Sequence, residues 1–187
     1  MTEADLLAGL KEKSDAAVQA LVDGYGDRLL RTAAAVTGDR QTAEDVVQET
    51  LLQACRKIDS FRGESALLTW LLRIAVNIAR NKAASWWGRR VTLLSDARLA
   101  VWPAAAASDP AAAYEKREAG REVLACLRRL PVRYREVLAL HYLEECSVAE
   151  ISGILGIAQG TVKSTLARGR AKLREIMASS RGEDNAK

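Results

Sequence analysis

Residues 147–174, SVAEISGILGIAQGTVKSTLARGRAKLR, spell out a helix, a sharp turn and a second helix. Ser147 followed three residues later by Glu150 is the pairing of a capping box, in which each side chain serves the other's backbone N–H. It opens a helix with Ile151, Ile154 and Leu155 on one side. Gly156 supplies the turn, because glycine takes positive φ without steric cost, and Ile157 plugs the corner. The second helix begins near Gly160 and Thr161. Val162, Leu166, Gly169 and Leu173 recur at helical spacing on its inner side, which leaves Lys163, Ser164, Ala167, Arg168 and Ala171 outside. Between Lys163 and Arg174 it carries five cations and no acid. A small, polar, cationic face suits a helix lying in the major groove. A basic amphipathic helix alone is an ordinary surface feature. The cap, the glycine turn and the matched apolar spacing together point to a DNA-reading helix-turn-helix.

Working outward, the 187 residues suffice for one medium domain or two small ones. Apolar residues make up 49% and aromatics only 5%, with Ala and Leu abundant, which favours helices over sheets. The net charge of +4 is modest, but cations gather near residues 89–90, 128–135 and 163–174 while carboxylates gather elsewhere. That segregation suggests two surfaces for two partners. Cys55, Cys126 and Cys146 are far apart, no CxxC occurs, and the one histidine, His141, has no ligand spacing around it. No metal or cofactor is expected, and the cysteines read as small buried residues of a reducing compartment. The chain shows no phosphate-binding glycine loop and no nucleophile–base constellation, so an enzyme is not expected. MTEADLL has acids where a signal peptide has cations. The apolar stretch 67–79, broken by Arg73 and Asn77, is too short for a bilayer. A cytoplasmic protein without membrane insertion is expected.

Three blocks follow from the patterning. Residues 1–90 are helical: a short helix at Leu6, Leu7 and Leu10, a longer one through Ala17, Leu21, Tyr25, Leu29 and Ala33, another over 42–57 opened by Thr42, and an apolar one over 65–84. Residues 91–113 contain WPAAAASDPAAA, where Pro103 and Pro110 break any helix; this reads as a flexible linker. Residues 114–178 are helical again, over 114–130, 134–143 and the helix-turn-helix, before a polar tail at 179–187 whose RGEDNAK is expected to fray. The fold class is all-α, with two small helical domains.

Two further faces carry chemistry. In the helix over 42–57, Ala43, Val47, Thr50, Leu51, Ala54 and Ile58 point inward. Asp45, Gln48, Glu49 and Leu52 share the other side. Carboxylates beside an exposed leucine, with no compensating cation before Arg56, fit either a solvated face or a dock for a basic partner helix. Next, Phe61, Arg62, Gly63, Glu64 and Ser65 form a polar loop able to hold an extruded base. Trp70, Arg73 and Asn77 then line up on one helix face, as contact with unpaired DNA requires. Trp70 as a core residue and Arg73 as an ordinary surface cation fit equally well. Trp86, Trp87, Arg89 and Arg90 fit an extension of this surface along the phosphate backbone, and Trp86 or Trp87 fits a cap on the core equally.

Together these segments resemble the extracytoplasmic-function group of sigma-70 factors of bacterial RNA polymerase, over nearly the whole chain. Residues 43–81 look like region 2 and residues 130–174 like region 4. The resemblance implies that residues 1–90 dock on core RNA polymerase through Asp45, Gln48, Glu49 and Leu52. It implies that Phe61, Arg62, Gly63, Glu64, Ser65, Trp70, Arg73 and Asn77 capture and open the −10 element. Thr161, Lys163, Ser164, Ala167 and Arg168 would read the −35 element as duplex. Promoter DNA, core polymerase and an anti-sigma factor are the implied partners. A stand-alone helix-turn-helix regulator is the alternative. Departures from the family pattern are Leu67 and Leu68 where aromatics are frequent, Ser152 for an alanine, Ala158 for a capping serine, and Thr165 where arginine is common.

Overall fold

The computed structural model describes the backbone at residues 2–87 and 123–184, with side chains at 2–84 and 123–180. The linker, Arg89 and Arg90, and the start of the helix expected over 114–130 lie outside the described residues, as do the side chains of Trp86 and Trp87.

Every described element is helical. α1, Glu3–Lys11, starts on a capping box in which Thr2 Oγ1 accepts from the Asp5 N–H at 3.1 Å and the Asp5 carboxylate accepts from the Thr2 N–H at 3.0 Å. α2, Asp15–Thr37, stops at Gly38, whose φ of 75° is the left-handed conformation that ends helices. α3, Arg40–Lys57, begins earlier than its pattern suggests. Its cap is Asp39, whose carboxylate accepts both the Thr42 N–H at 2.8 Å and the Thr42 hydroxyl at 2.6 Å. Thr42 therefore serves the cap rather than forming it. A short 3₁₀ turn, Ile58–Ser60, leads to α4, Leu67–Trp87.

Helical residues 123–128, here α5, precede α6, Val132–Tyr142, which starts on Pro131 where a missing N–H costs nothing. α7, Val148–Leu155, and α8, Gln159–Asp184, complete the chain. α8 runs into the segment expected to fray, as far as Asp184. Ser179 and Ser180 donate to the carbonyls of Glu175 and Ile176, and Arg129 Nη1 donates to Ser180 Oγ at 3.1 Å. A tertiary contact thus holds a polar stretch helical.

α2, α3 and α4 pack against one another through Leu21, Leu29, Val36, Ala43, Val46, Ala54, Leu71, Leu72 and Val76, all buried. Val46 takes the inner seam of α3 and Val47 is only half-buried, because the buried positions 43, 46, 50 and 54 follow the 3.6 period. A second group joins Tyr134, Val137 and Leu138 of α6 to Ile151, Ile154 and Leu155 of α7 and Val162 and Leu166 of α8. Gly169 makes this close: a Cβ there would sit 3.4 Å from Leu138 and Tyr134.

The two groups then meet. α2 packs on α6 and α4 on α7, and their buried residues form one continuous apolar cluster. Gly38 stands at this junction, where a Cβ would lie 2.7 Å from Arg135 Nη1 and 2.9 Å from Arg128 Cγ. Gly38→Ala is expected to lower stability by about 1–2 kcal/mol through the left-handed backbone alone. Urea denaturation reads this as a lower midpoint at unchanged slope; an unchanged midpoint would mean the turn relaxes freely.

Candidate nucleic-acid interface

The helix-turn-helix is built as its sequence pattern demands. Ser147 Oγ accepts from the Glu150 N–H at 3.2 Å, and the Glu150 carboxylate accepts from the Ser147 N–H at 2.8 Å. The Ser147 hydroxyl, then its N–H, hold the Glu150 carboxyl below its ordinary range. Gly156 adopts φ 67°. Ser152 adds a bond that an alanine there would lack, donating its hydroxyl to the Ile157 carbonyl across the turn at 2.6 Å. Val162, Leu166 and Gly169 are buried. Thr161, Lys163, Ser164, Ala167, Arg168 and Ala171 are all exposed, so the two predicted faces of α8 hold. Arg170, Lys172 and Arg174 extend the exposed positive charge along the helix. Thr165 is half-buried and lies off the outer strip.

A second surface lies between α3 and α4. Trp70, Arg73 and Asn77 line one wall of an open groove of about 650 Å³, and Glu49, Gln53, Lys57 and Ser60 line the other. Arg73 and Asn77 are exposed, and Trp70 is half-buried. Its ring meets Phe61 at 5.4 Å between centroids, tilted by 55°. The indole is therefore both part of the core's edge and part of the groove, which joins the two readings of its sequence position. Arg62, Gly63, Glu64 and Ser65 form an exposed loop beyond Phe61, with Gly63 at φ 71°. Leu67 is fully buried, so an aromatic at that position would face the core rather than a base. Asn81 and Lys82 also line the groove. Asn81 sits one helical turn beyond Asn77, so continuing the period by four residues finds it. Lys57 comes from the far end of the facing helix, and its part in the groove is tertiary.

The third surface is the outer face of α3. Asp45 and Gln48 are exposed, and Leu52 keeps 57% of its surface in solvent. Glu49 departs from expectation. Its carboxylate pairs with Lys82 Nζ of α4 at 3.2 Å and accepts from Gln53 at 3.4 Å. A compensating cation does exist, supplied by another helix. Gln48 leans the other way, into a groove of about 470 Å³ edged by Val22, Asp23, Asp27, Leu30 and Glu44.

The thiols take no part in these surfaces. Cys126 and Cys146 are buried and Cys55 is half-buried. Burial, with the nearby Glu150 and Glu144 carboxylates, pushes the Cys146 thiol up to about 11.

The family comparisons meet this geometry. The sigma-70 region 2 family model matches residues 21–89, and the sigma-70 region 4 model matches residues 120–173. Two such regions in this order define a sigma-70-type initiation factor. The chain is 32% identical over 161 residues to the ECF RNA polymerase sigma factor SigW of Bacillus subtilis (strain 168), covering 83% of this chain and 86% of that protein. It is 32% identical over 176 residues to SigM of Mycobacterium tuberculosis (strain ATCC 25618 / H37Rv), covering 94% and 85%. Its fold resembles that of the sigma factor RpoE from Bartonella quintana, solved in complex with the anti-sigma factor NepR. The TM-score there is 0.65 at 27% identity, over 86% of this chain and 95% of that one. The chain belongs to the extracytoplasmic-function sigma factors. Among the described residues no helix is long and apolar enough to cross a membrane.

Ser152→Ala is expected to loosen the turn by about 1 kcal/mol, the worth of one hydrogen bond. Amide exchange at Gly156 and Ile157 should quicken several-fold while the α2–α4 core is unaffected. Equal protection in both proteins would show that the bond contributes nothing.

Proposed function

We propose that this sigma factor divides its work among the three surfaces. The outer face of α3, with Asp45, Gln48, Glu49 and Leu52, docks on core RNA polymerase. The carboxylates steer a basic partner helix, and Leu52 adds apolar area at the centre of the contact. The groove between α3 and α4 takes the unpaired −10 strand. Phe61 and Trp70 offer ring faces, Arg73 a phosphate partner and Asn77 an amide for a base edge. The Arg62–Ser65 loop receives an extruded base. α8 lies in the −35 major groove. Thr161, Lys163, Ser164 and Arg168 contact phosphates and bases there, and Ala167 allows close approach.

Helix bundle 1–90 and helix-turn-helix 114–178 are the two binding modules, joined by the segment 91–113. Each contact is weak by itself, and linkage raises the effective concentration of the second. The protein makes and breaks no covalent bond; polymerase supplies that chemistry. It acts where polymerase acts, in the cytoplasm. An anti-sigma protein is a further partner in this reading, supported by the relative solved with NepR.

The observation that carries this reading is that all five α8 positions face solvent on one side, while the acidic and apolar face of α3 lies open elsewhere. A stand-alone regulator leaves that second face without a task. Because Glu49 is tied to Lys82, the cleaner test changes Asp45 and Leu52. Asp45→Lys with Leu52→Ala is expected to weaken core-polymerase binding at least tenfold, measured by fluorescence anisotropy, with helicity unchanged. Wild-type affinity in the double variant would move the docking site off α3.

A further inference from the structure

α6 carries buried charges that are answered and one that is not. Glu144, just after α6, accepts from Arg28 Nε at 2.9 Å and from the Thr32 hydroxyl at 2.8 Å, both on α2. Glu136 accepts from Arg80 Nε of α4 at 2.9 Å. Arg135 differs. It is 1% exposed, yet its Nε and Nη2 reach neither solvent nor any acceptor among the described residues. Burial first, then the like charge of Arg128, push that guanidinium down to about 10, against the pull of Glu136. It therefore keeps its charge at neutral pH. A buried cation whose donors are unmet is costly unless an ion or polar group answers it.

The surroundings of Arg135 favour an anion. A helical side chain leans back over the turn before its own, so Arg135 lies along the first turn of α6. That turn starts on Pro131, with no capping side chain and no acidic residue. The N–H groups of Val132 and Arg133 and the positive end of the helix dipole are thus open to a negative ligand. Arg128 brings a second guanidinium. Arg135 Nη1 and Arg128 Cγ stand 2.7 and 2.9 Å from the point where a Cβ on Gly38 would lie, so both chains converge on one spot. Arg128 is half-exposed, and its long chain can swing aside to admit an ion from solvent. The acids close by are already engaged. Asp39 accepts from the N–H and hydroxyl of Thr42, and Glu136 is held by Arg80.

We propose that Arg135, Arg128 and the first turn of α6 form a binding site for a small oxyanion of the phosphate class. Nε and Nη2 of an arginine lie on one edge of its planar fork. These are the two unmet donors of Arg135, and together they match two oxygens of one anion. A carboxylate would use that edge alone. A tetrahedral ion presents further oxygens to the Arg128 guanidinium and to the amides that open α6, and its higher charge balances two arginines. Free phosphate and the terminal phosphate of a nucleotide share this chemistry.

Thermal unfolding of the full chain tests the site without promoter or polymerase. Midpoints are read in inorganic phosphate, sulfate, ATP, acetate and chloride at one ionic strength. Phosphate and sulfate also stabilise folded proteins generally, so the readout is the wild-type shift beyond that of Arg135→Met. That excess is expected at ~3 °C or more in ~10 mM phosphate, as for a ligand well above its Kd. Sulfate should give it too, while acetate and chloride should not. Arg135→Met, relieved of its unanswered charge, should melt no lower than wild type in chloride. Arg174→Ala, which removes an exposed cation of α8, should keep the full excess. If Arg135→Met fails to fold, Arg128→Gln decides, with calorimetric phosphate affinity expected to fall about tenfold. ATP acting at far lower concentration than phosphate, and only where Arg135 is present, would support the site with a nucleotide phosphate as its occupant. Equal or weaker action by ATP would support it with the free ion. No excess over Arg135→Met, an equal excess in acetate or chloride, or loss of the excess in Arg174→Ala would overturn the proposal. So would wild-type phosphate affinity in Arg128→Gln.

Discussion

Glu144 is a carboxylate removed from water and answered by two groups on a helix more than a hundred residues away. Burying a charge is costly unless its partner and hydrogen bonds are in place, so this residue ties the position of α6 to that of α2. α7 and α8 follow α6 through a common apolar group. A buried ionic contact at Glu144 and its companion at Glu136 therefore join the continuous apolar cluster in placing the DNA-reading helix relative to the α3–α4 groove.

Linkage of two recognition surfaces in one chain explains why a sigma factor can be small. With two recognition surfaces on separate helical groups, neither needs high affinity for its own element. α8 offers exposed positive charge, and the groove offers the Trp70 indole, which Phe61 meets at 5.4 Å. The Phe61–Trp70 contact is structural. It holds the loop after the 3₁₀ turn against α4, and leaves part of the indole at the groove.

Local patterns were legible without coordinates. The helix-turn-helix could be read from Ser147, Glu150, Gly156 and the inner series from Val162, because capping, turn and period are properties of neighbouring residues. The outer faces of α3 and α8 were legible for the same reason. What escaped was whatever depends on a distant partner. Lys82 reaches Glu49 from another helix, so the α3 face looked uncompensated. Arg135 sits in a run of cations and reads as surface, yet it is buried because α2 ends beside it at Gly38. Val46 rather than Val47 takes the inner seam, a choice the packing of α2 and α4 decides. Asp39 caps α3, although Thr42 has the same capping chemistry three residues on. The approach of the two halves left no sequence signal, since its charges lie far apart along the chain.

The central claim is that one chain reads two promoter elements, and does so with polymerase. Footprinting on a promoter this sigma factor serves tests it most directly, with the protein alone and with core polymerase added. The account predicts two separated protected segments with polymerase, the downstream one permanganate-reactive and hence unpaired, and little protection by the protein alone. Strong protection of a single duplex segment by the protein alone, unchanged by polymerase, would contradict it.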